Sequence, residues 1–179
     1  ELVANIAAWD SATFGQPRSI ANLLTEKLAE LEPQYKDKQA DWAGILNAAL
    51  VVFSYVGEPQ ETLKTSIKYL DVLEQTRADP ATIAEAYLSA GSSAKWLGQL
   101  QDSEAFLRKG LTWVPESSSS QPTLRMHLIL VGNLSSVLTR LGKRTEAKVL
   151  LERARQLGAK RLPDDPGYAL LLMNIGRFE

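Results

Sequence analysis

"KWLGQLQDSEAFLRKGLTWVP", residues 95–115, reads as the end of one helix, a tight turn at Gly98 and a second amphipathic helix stopped by Pro115. Used once, such a hairpin would be a detail. Used repeatedly, it sets the architecture, because a pair of helices cannot bury its own apolar face and must stack on a neighbour. Glycines that follow an apolar or aromatic residue and precede a new helical pattern stand at 15, 57, 98, 142 and 176, at intervals of 42, 41, 44 and 34 residues. The hairpin is a repeated device.

Helix starts are marked on both sides of these turns. Asp79-Pro80, Ser120-Gln121-Pro122 and Asp165-Pro166 each place a polar residue before a proline, and Gln16-Pro17 and Glu58-Pro59 do so directly after a glycine. Proline is tolerated in the first helical turn, where its missing N–H has no intrahelical partner to lose. Between these marks the apolar spacing is helical: Ala84, Tyr87, Leu88, Gly91, Ala94 and Leu97 share one face, as do Ala147, Leu150, Leu151, Ala154 and Leu157. No alternating stretch bounded by turns argues for a strand. The expected fold is all-α, with nine helices at about 2–13, 17–32, 39–56, 59–76, 80–97, 101–113, 122–141, 144–157 and 166–175. The last of these has no second helix to complete its hairpin, and its run Leu170-Leu171-Leu172-Met173 needs a cover, whether further chain or a second copy.

Composition limits the function classes. The 179 residues carry a formal charge of −1, so no overall field draws the chain to nucleic acid or to an anionic membrane. There is no cysteine, which removes disulfides, thiolate catalysis and the usual zinc sites and leaves the compartment open between cytoplasm and periplasm. No apolar run approaches the roughly 18 residues of a spanning helix. The chain starts at Glu1 rather than at a methionine and stops at "NIGRFE" without a helix-ending signal, so a segment of a longer protein is expected.

Aligned on Gly98, the unit starts near Ala84. Tyr87, Ala90, Gly91 and Ala94 alternate large and small on its first helix, and Ser103, Leu107, Gly110 and Pro115 do so on its second. Small residues let two helices approach and large ones fill the space between them. This pattern resembles the tetratricopeptide consensus, with serine at 103 where alanine is usual. A second copy has Leu134, Ser135 and Leu138, then Ala147, Leu151 and Ala154 within "LGKRTEAKVLLERA". Against the family period of about 34 residues, three of the intervals are longer by 7 to 10, an excess that longer helices or loops such as "PESSSSQP" (115–122) absorb. The resemblance implies a right-handed α-solenoid over 1–179, with repeats at about 1–33, 43–76, 84–117 and 128–161 and a truncated fifth at 162–179.

It also implies a binding groove lined by the first helix of each hairpin. By repeat position that groove includes Asn47, Val51, Tyr55, Leu88, Ser92, Lys95, Trp96, Ser136, Thr139 and Arg140. The lysine and asparagine with which some family members grip a chaperone's terminal carboxylate are replaced here by Leu88 and Ser92, or Gly132 and Ser136, so that partner is not expected. Trp96 beside Lys95 suits either stacking on a ligand or packing between hairpins.

Chemistry-bearing motifs are sparse. His127, the one histidine, lies within a helical pattern beside Met126 and Leu128 and reads as a packed or surface residue rather than a base or ligand. Asp164-Asp165, between Pro163 and Pro166, reads as a turn and helix cap rather than a cation site. "LGKRT" (141–145) lacks the upstream glycine and the preceding strand of a phosphate loop, and the Asn133-Leu134-Ser135 triplet falls inside a helix. Between Arg140 and Arg161 eight basic residues face two acidic ones, a local +6 that leaves −7 on the remainder. A solvated helix face accounts for this stretch better than a nucleic-acid site, since it has no aromatic residue for stacking on bases.

The expected function is therefore non-catalytic and without a cofactor: a groove that takes a protein, a peptide or a small ligand. In style the array resembles the regulatory regions attached to bacterial diguanylate cyclases, histidine kinases and helix-turn-helix regulators, which implies an output domain on the same chain. The rival expectations are a free-standing scaffold, and an acidic-partner or nucleic-acid binder acting through 140–161.

Overall fold

A computed structural model describes residues 19–176. Among them the chain forms eight α-helices: α1 (Ile20–Leu31), α2 (Gln39–Val56), α3 (Pro59–Thr76), α4 (Pro80–Trp96), α5 (Leu100–Trp113), α6 (Gln121–Arg140), α7 (Arg144–Arg161) and α8 (Pro166–Gly176), with one 3₁₀ turn, Glu32–Tyr35, after α1. The fold is all-helical. The expected helix at 2–13, the turn glycine Gly15 and the Gln16-Pro17 start lie outside the described residues. The excess over a 34-residue period sits mainly in the helices, since α2 and α3 have 18 residues each and α6 has 20.

Local chemistry explains the boundaries. Ser19, Asp79 and Ser120 cap α1, α4 and α6, each side chain accepting hydrogen bonds from first-turn N–H groups. Gly57, Gly98 and Gly142 close the turns α2–α3, α4–α5 and α6–α7 with φ of 77°, 78° and 78°, the left-handed region that a side chain disfavours. At the end of α3 the same conformation is taken by Arg77, φ 52°, so that junction carries no glycine signal in the sequence.

Two boundaries differ from the sequence reading by more than one residue: the helix expected from 17 begins at Ile20 behind its Ser19 cap, and a second runs past its expected end. The helix expected to stop at 157 continues to Arg161, because Gly158 is not a stop. It is buried, and a Cβ there would lie 2.1 Å from Cδ2 of Tyr168. The glycine admits the tyrosine ring of α8 against the last turns of α7.

Each helix packs on the next, and α4 also packs on α6, and α6 on α8. Trp42, Leu46 and Leu50 of α2 meet Tyr69 and Leu70 of α3 and Ile83 and Tyr87 of α4 in one core. Ala84, Leu107, Leu130, Leu134 and Ala147 bring α4, α5, α6 and α7 together in a second. In a third, Leu128 and Leu151 cover Tyr168 and Leu171 of α8, which leaves Leu172 and Met173 of the run needing a cover 41% and 59% exposed. One pair breaks the pattern: α2 makes no comparable contact with α4.

Close approach of α4 and α5 depends on Gly91 and Ser103. The Ser103 hydroxyl, fully buried, donates to the Gly91 carbonyl at 2.6 Å. A Cβ on Gly91 would stand 2.7 Å from Cγ of Leu107. The hydroxyl of Ser135 in α6, a residue 1% exposed, has no hydrogen-bond partner among the described residues. The two serines occupy small-residue positions in consecutive hairpins, yet only one is satisfied.

Substitution should separate them. Ser103→Ala is expected to lose about 1 kcal/mol and Ser135→Ala to gain about 1 kcal/mol, since a buried hydroxyl without a partner carries its desolvation cost, both read by urea unfolding. Gly91→Ala gains about 1 kcal/mol of helix propensity and costs about 1–3 kcal/mol of overpacking against Leu107. The net expectation is a lower urea midpoint, and an unchanged or higher one would contradict the close packing of α4 on α5.

Candidate functional site

The face of α4 turned toward α2 is polar. Thr82, Glu85, Ser89, Ser92 and Trp96 recur at intervals of three and four and form one stripe along the helix. Its other two faces are apolar: Ile83, Ala86, Tyr87 and Ala90 join the core built around α3, and Ala84 and Leu88 the core shared with α5 and α6. A stripe of hydroxyls and a carboxylate gains nothing by leaving water for a second helix, so α2 and α4 stand apart.

The space between them is a cleft made of two adjoining hollows of about 580 and 480 Å³, both lined by Ser54 and Ser89. In the first, Asn47, Val51 and Tyr55 of α2 face Thr82 and Glu85 of α4, over a floor that includes Leu50, Tyr69 and Ala86. In the second, Gly57, Glu58 and Pro59 at the α2–α3 turn face Ser92, Ser93 and Trp96. The Ser89 hydroxyl is held from below, accepting from Ser66 of α3 at 3.1 Å. Tyr55 is 91% exposed, Trp96 81% and Val51 66%. At that exposure Trp96 does not pack between hairpins.

Glu85 and Glu58 are the charged residues lining the two hollows. Neither has an ion-pair partner among the described residues. Ionisation of the Tyr69 phenol at the floor is pushed up, first by burial and then by the negative charges of Glu85 and Asp79. The floor of the cleft therefore sits in a negative field.

The ten residues expected in a groove do not come together in one place. Asn47, Val51 and Tyr55, with Ser92 and Trp96, line the cleft. Leu88 packs against the second core. Lys95 and Arg140 belong to the α4–α6 seam: Lys95 Nζ donates to Oδ1 of Asn133 at 3.2 Å, and Arg140 Nη1 donates to the Lys95 carbonyl at 3.2 Å. Burial, and secondarily the Arg140 charge, lower the Lys95 pKa. Thr139 turns its hydroxyl back to the Ser135 carbonyl, and Ser136 is exposed on α6. Tyr55, Trp96 and Arg140 hold one register, each two residues before its turn glycine. Repeat position alone missed Ser54 on α2, and it missed Thr82, Glu85 and Ser89, for which the signal was the three-four polar stripe on α4.

The remaining motifs are structural. His127 is half-buried, with Nδ1 2.8 Å from the Val114 carbonyl, and so pins the 114–120 loop to α6. Asp165 accepts from the Gly167 N–H at 2.8 Å and pairs with Arg125 at 2.6 Å, which anchors the start of α8 on α6. Lys143 and Arg108 hold the Glu104 carboxyl below its ordinary range, at 2.7 and 2.8 Å, joining α5 to the α6–α7 turn. Of the basic residues between 140 and 161, Lys143, Arg153 and Arg155 are taken up by Glu104, Glu116 and Glu152. Among the described residues no group of three or more His, Cys, Asp or Glu side chains suits a metal ion, and no helix is long and apolar enough to cross a membrane.

No protein-family model matches this sequence, and no curated protein shows significant similarity to it. The geometry of the cleft stands alone as the guide to function.

Burial pushes the His127 imidazole below its ordinary pKa of 6.5. Between the folded and unfolded values the unfolded chain binds more protons, so stability is fully present above about pH 6.5 and falls as the pH drops through that window. With one histidine in the chain, the urea midpoint of the wild type should be lower at pH 5.5 than at pH 7.5. His127→Gln should remove most of that difference, and persistence of the slope in the variant would place its source elsewhere.

Proposed function

We propose that the chain is a non-catalytic binding module of the tetratricopeptide-like α-solenoid type, and that it takes an extended peptide in the cleft between α2 and α4. The observation that carries this reading is the divergence of those two helices, which leaves Val51, Tyr55 and Trp96 in solvent beside a hydroxyl-lined floor. Exposed aromatic side chains at the rim of a cleft offer large contact area at small entropic cost. Hydroxyls at Ser54, Ser89 and Ser92 supply donors and acceptors for a main chain laid between the helices.

The regulatory role implied by the resemblance to bacterial signalling arrays fits the same site. A peptide, or a small ligand, that binds one separation of α2 and α4 more tightly than another shifts the array toward that separation, and any domain attached to it senses the change. The placement in a signalling protein rests on that resemblance alone.

A random-peptide display library selected on the wild-type protein tests the reading. Enriched peptides are expected to lose about tenfold in affinity to Tyr55→Ala and to Trp96→Ala, in line with truncation of an interfacial aromatic, and to bind Ile67→Ala as they bind wild type. Ile67 is a control, exposed on α3 and lining a different hollow. Peptides indifferent to both cleft variants would place the binding surface elsewhere.

A further inference from the structure

The cleft discriminates by charge. Its ionised lining groups are Glu85 and Glu58, both carboxylates and both without an ion-pair partner among the described residues. Lys95, next to Trp96 in the chain, and Arg140 are engaged on the other side of α4 in the α6 seam. Each carboxylate shares its hollow with an exposed π face, Glu85 with Tyr55 and Glu58 with Trp96, and the two aromatics hold matching register in successive hairpins. An aromatic face attracts a cation, the more so when a carboxylate lies nearby to complete its neutralisation. A carboxylate or phosphate ligand would meet repulsion in both hollows and find no basic residue lining them among the described residues.

From this we infer that the occupant is a basic peptide segment, whose arginine or lysine side chains lie over Tyr55 and Trp96 and reach Glu85 and Glu58, while intervening apolar residues rest on Val51. The inference rests on the cleft being the binding site. Arginine suits it better than lysine, since a planar guanidinium stacks on an aromatic face and donates to a carboxylate at once. Toward α6 the positive charges of Lys95 and Arg140 turn unfavourable, which confines the segment to the α2–α4 cleft.

The test uses three labelled peptides of identical length in which leucine alternates with arginine, with glutamine or with glutamate, and fluorescence anisotropy against the full chain. The arginine peptide is expected to bind about tenfold or more tighter than the glutamate peptide, a margin that shrinks with added salt. The double variant Glu58→Gln/Glu85→Gln should erase most of the margin while the glutamine peptide keeps its affinity. Tyr55→Ala and Trp96→Ala should each weaken the arginine peptide by about two- to fivefold, as a partly exposed cation–π contact does. Circular dichroism confirms that the surface variants fold. Equal or tighter binding of the glutamine or glutamate peptide, still weakened by Tyr55→Ala, would overturn the charge inference and leave the cleft standing. Absence of binding by all three, or binding indifferent to Tyr55→Ala and Trp96→Ala, would overturn both.

Discussion

The rest of the molecule depends on how closely α4 and α5 approach. Gly91 has no side chain to hold the helices apart, Leu107 fills the space a Cβ would take, and the Ser103 hydroxyl reaches the Gly91 carbonyl. That contact fixes the rotation of α4 about its axis. With the rotation set, Ile83 and Tyr87 must point to α3, Ala84 and Leu88 to α6, and the stripe from Thr82 to Trp96 toward α2. A shift of one residue in α4 would drive Glu85 into the first core or Ile83 into water.

The cleft follows from that rotation. Where two first helices of successive hairpins meet through apolar residues they close, as α4 and α6 do over Leu130 and Leu134, and the ends are tied by Lys95, Asn133 and Arg140. Where one presents hydroxyls and a carboxylate, hydration outweighs contact and the helices part. The same mismatch leaves Tyr55 and Trp96 exposed. An opening held apart by the polarity of its own wall, with the Ser66–Ser89 bond bracing it from beneath, is already shaped before a ligand arrives.

Ion pairs between elements refine the arrangement without creating it. Glu104 with Lys143, Arg125 with Asp165 and Glu32 with Lys68 join segments far apart in sequence, yet at least one partner of each pair is near or above half exposure. Such pairs contribute about 0–1 kcal/mol apiece. Their effect is on register: Asp165 sets where α8 begins on α6, and Glu104 holds the α6–α7 turn against α5. The loop at 114–120, which looks permissive from its four serines, is fastened by the His127 contact to Val114 and by Arg153 with Glu116.

The sequence by itself determined the helices and their turns. Left-handed glycines, proline-marked starts and a three-four apolar rhythm are local chemistry, and local chemistry does not need to know what lies across the fold. The bounds of α2 and α3 were legible to the residue, and the turns at 57, 98 and 142 with them. Tertiary structure alone decided what depends on a neighbour's shape. The apolar rhythm of α7 reads as ending at Leu157 until Tyr168 is found against Gly158. Ser103 and Ser135 read alike until one of them is found opposite a carbonyl. Leu88 and Lys95 share a helix with Trp96, and only the packing of α6 assigns the first two to a seam and leaves the third in the cleft. Distances across a fold are set by the volumes of side chains that are remote in sequence, and no single stretch carries that information.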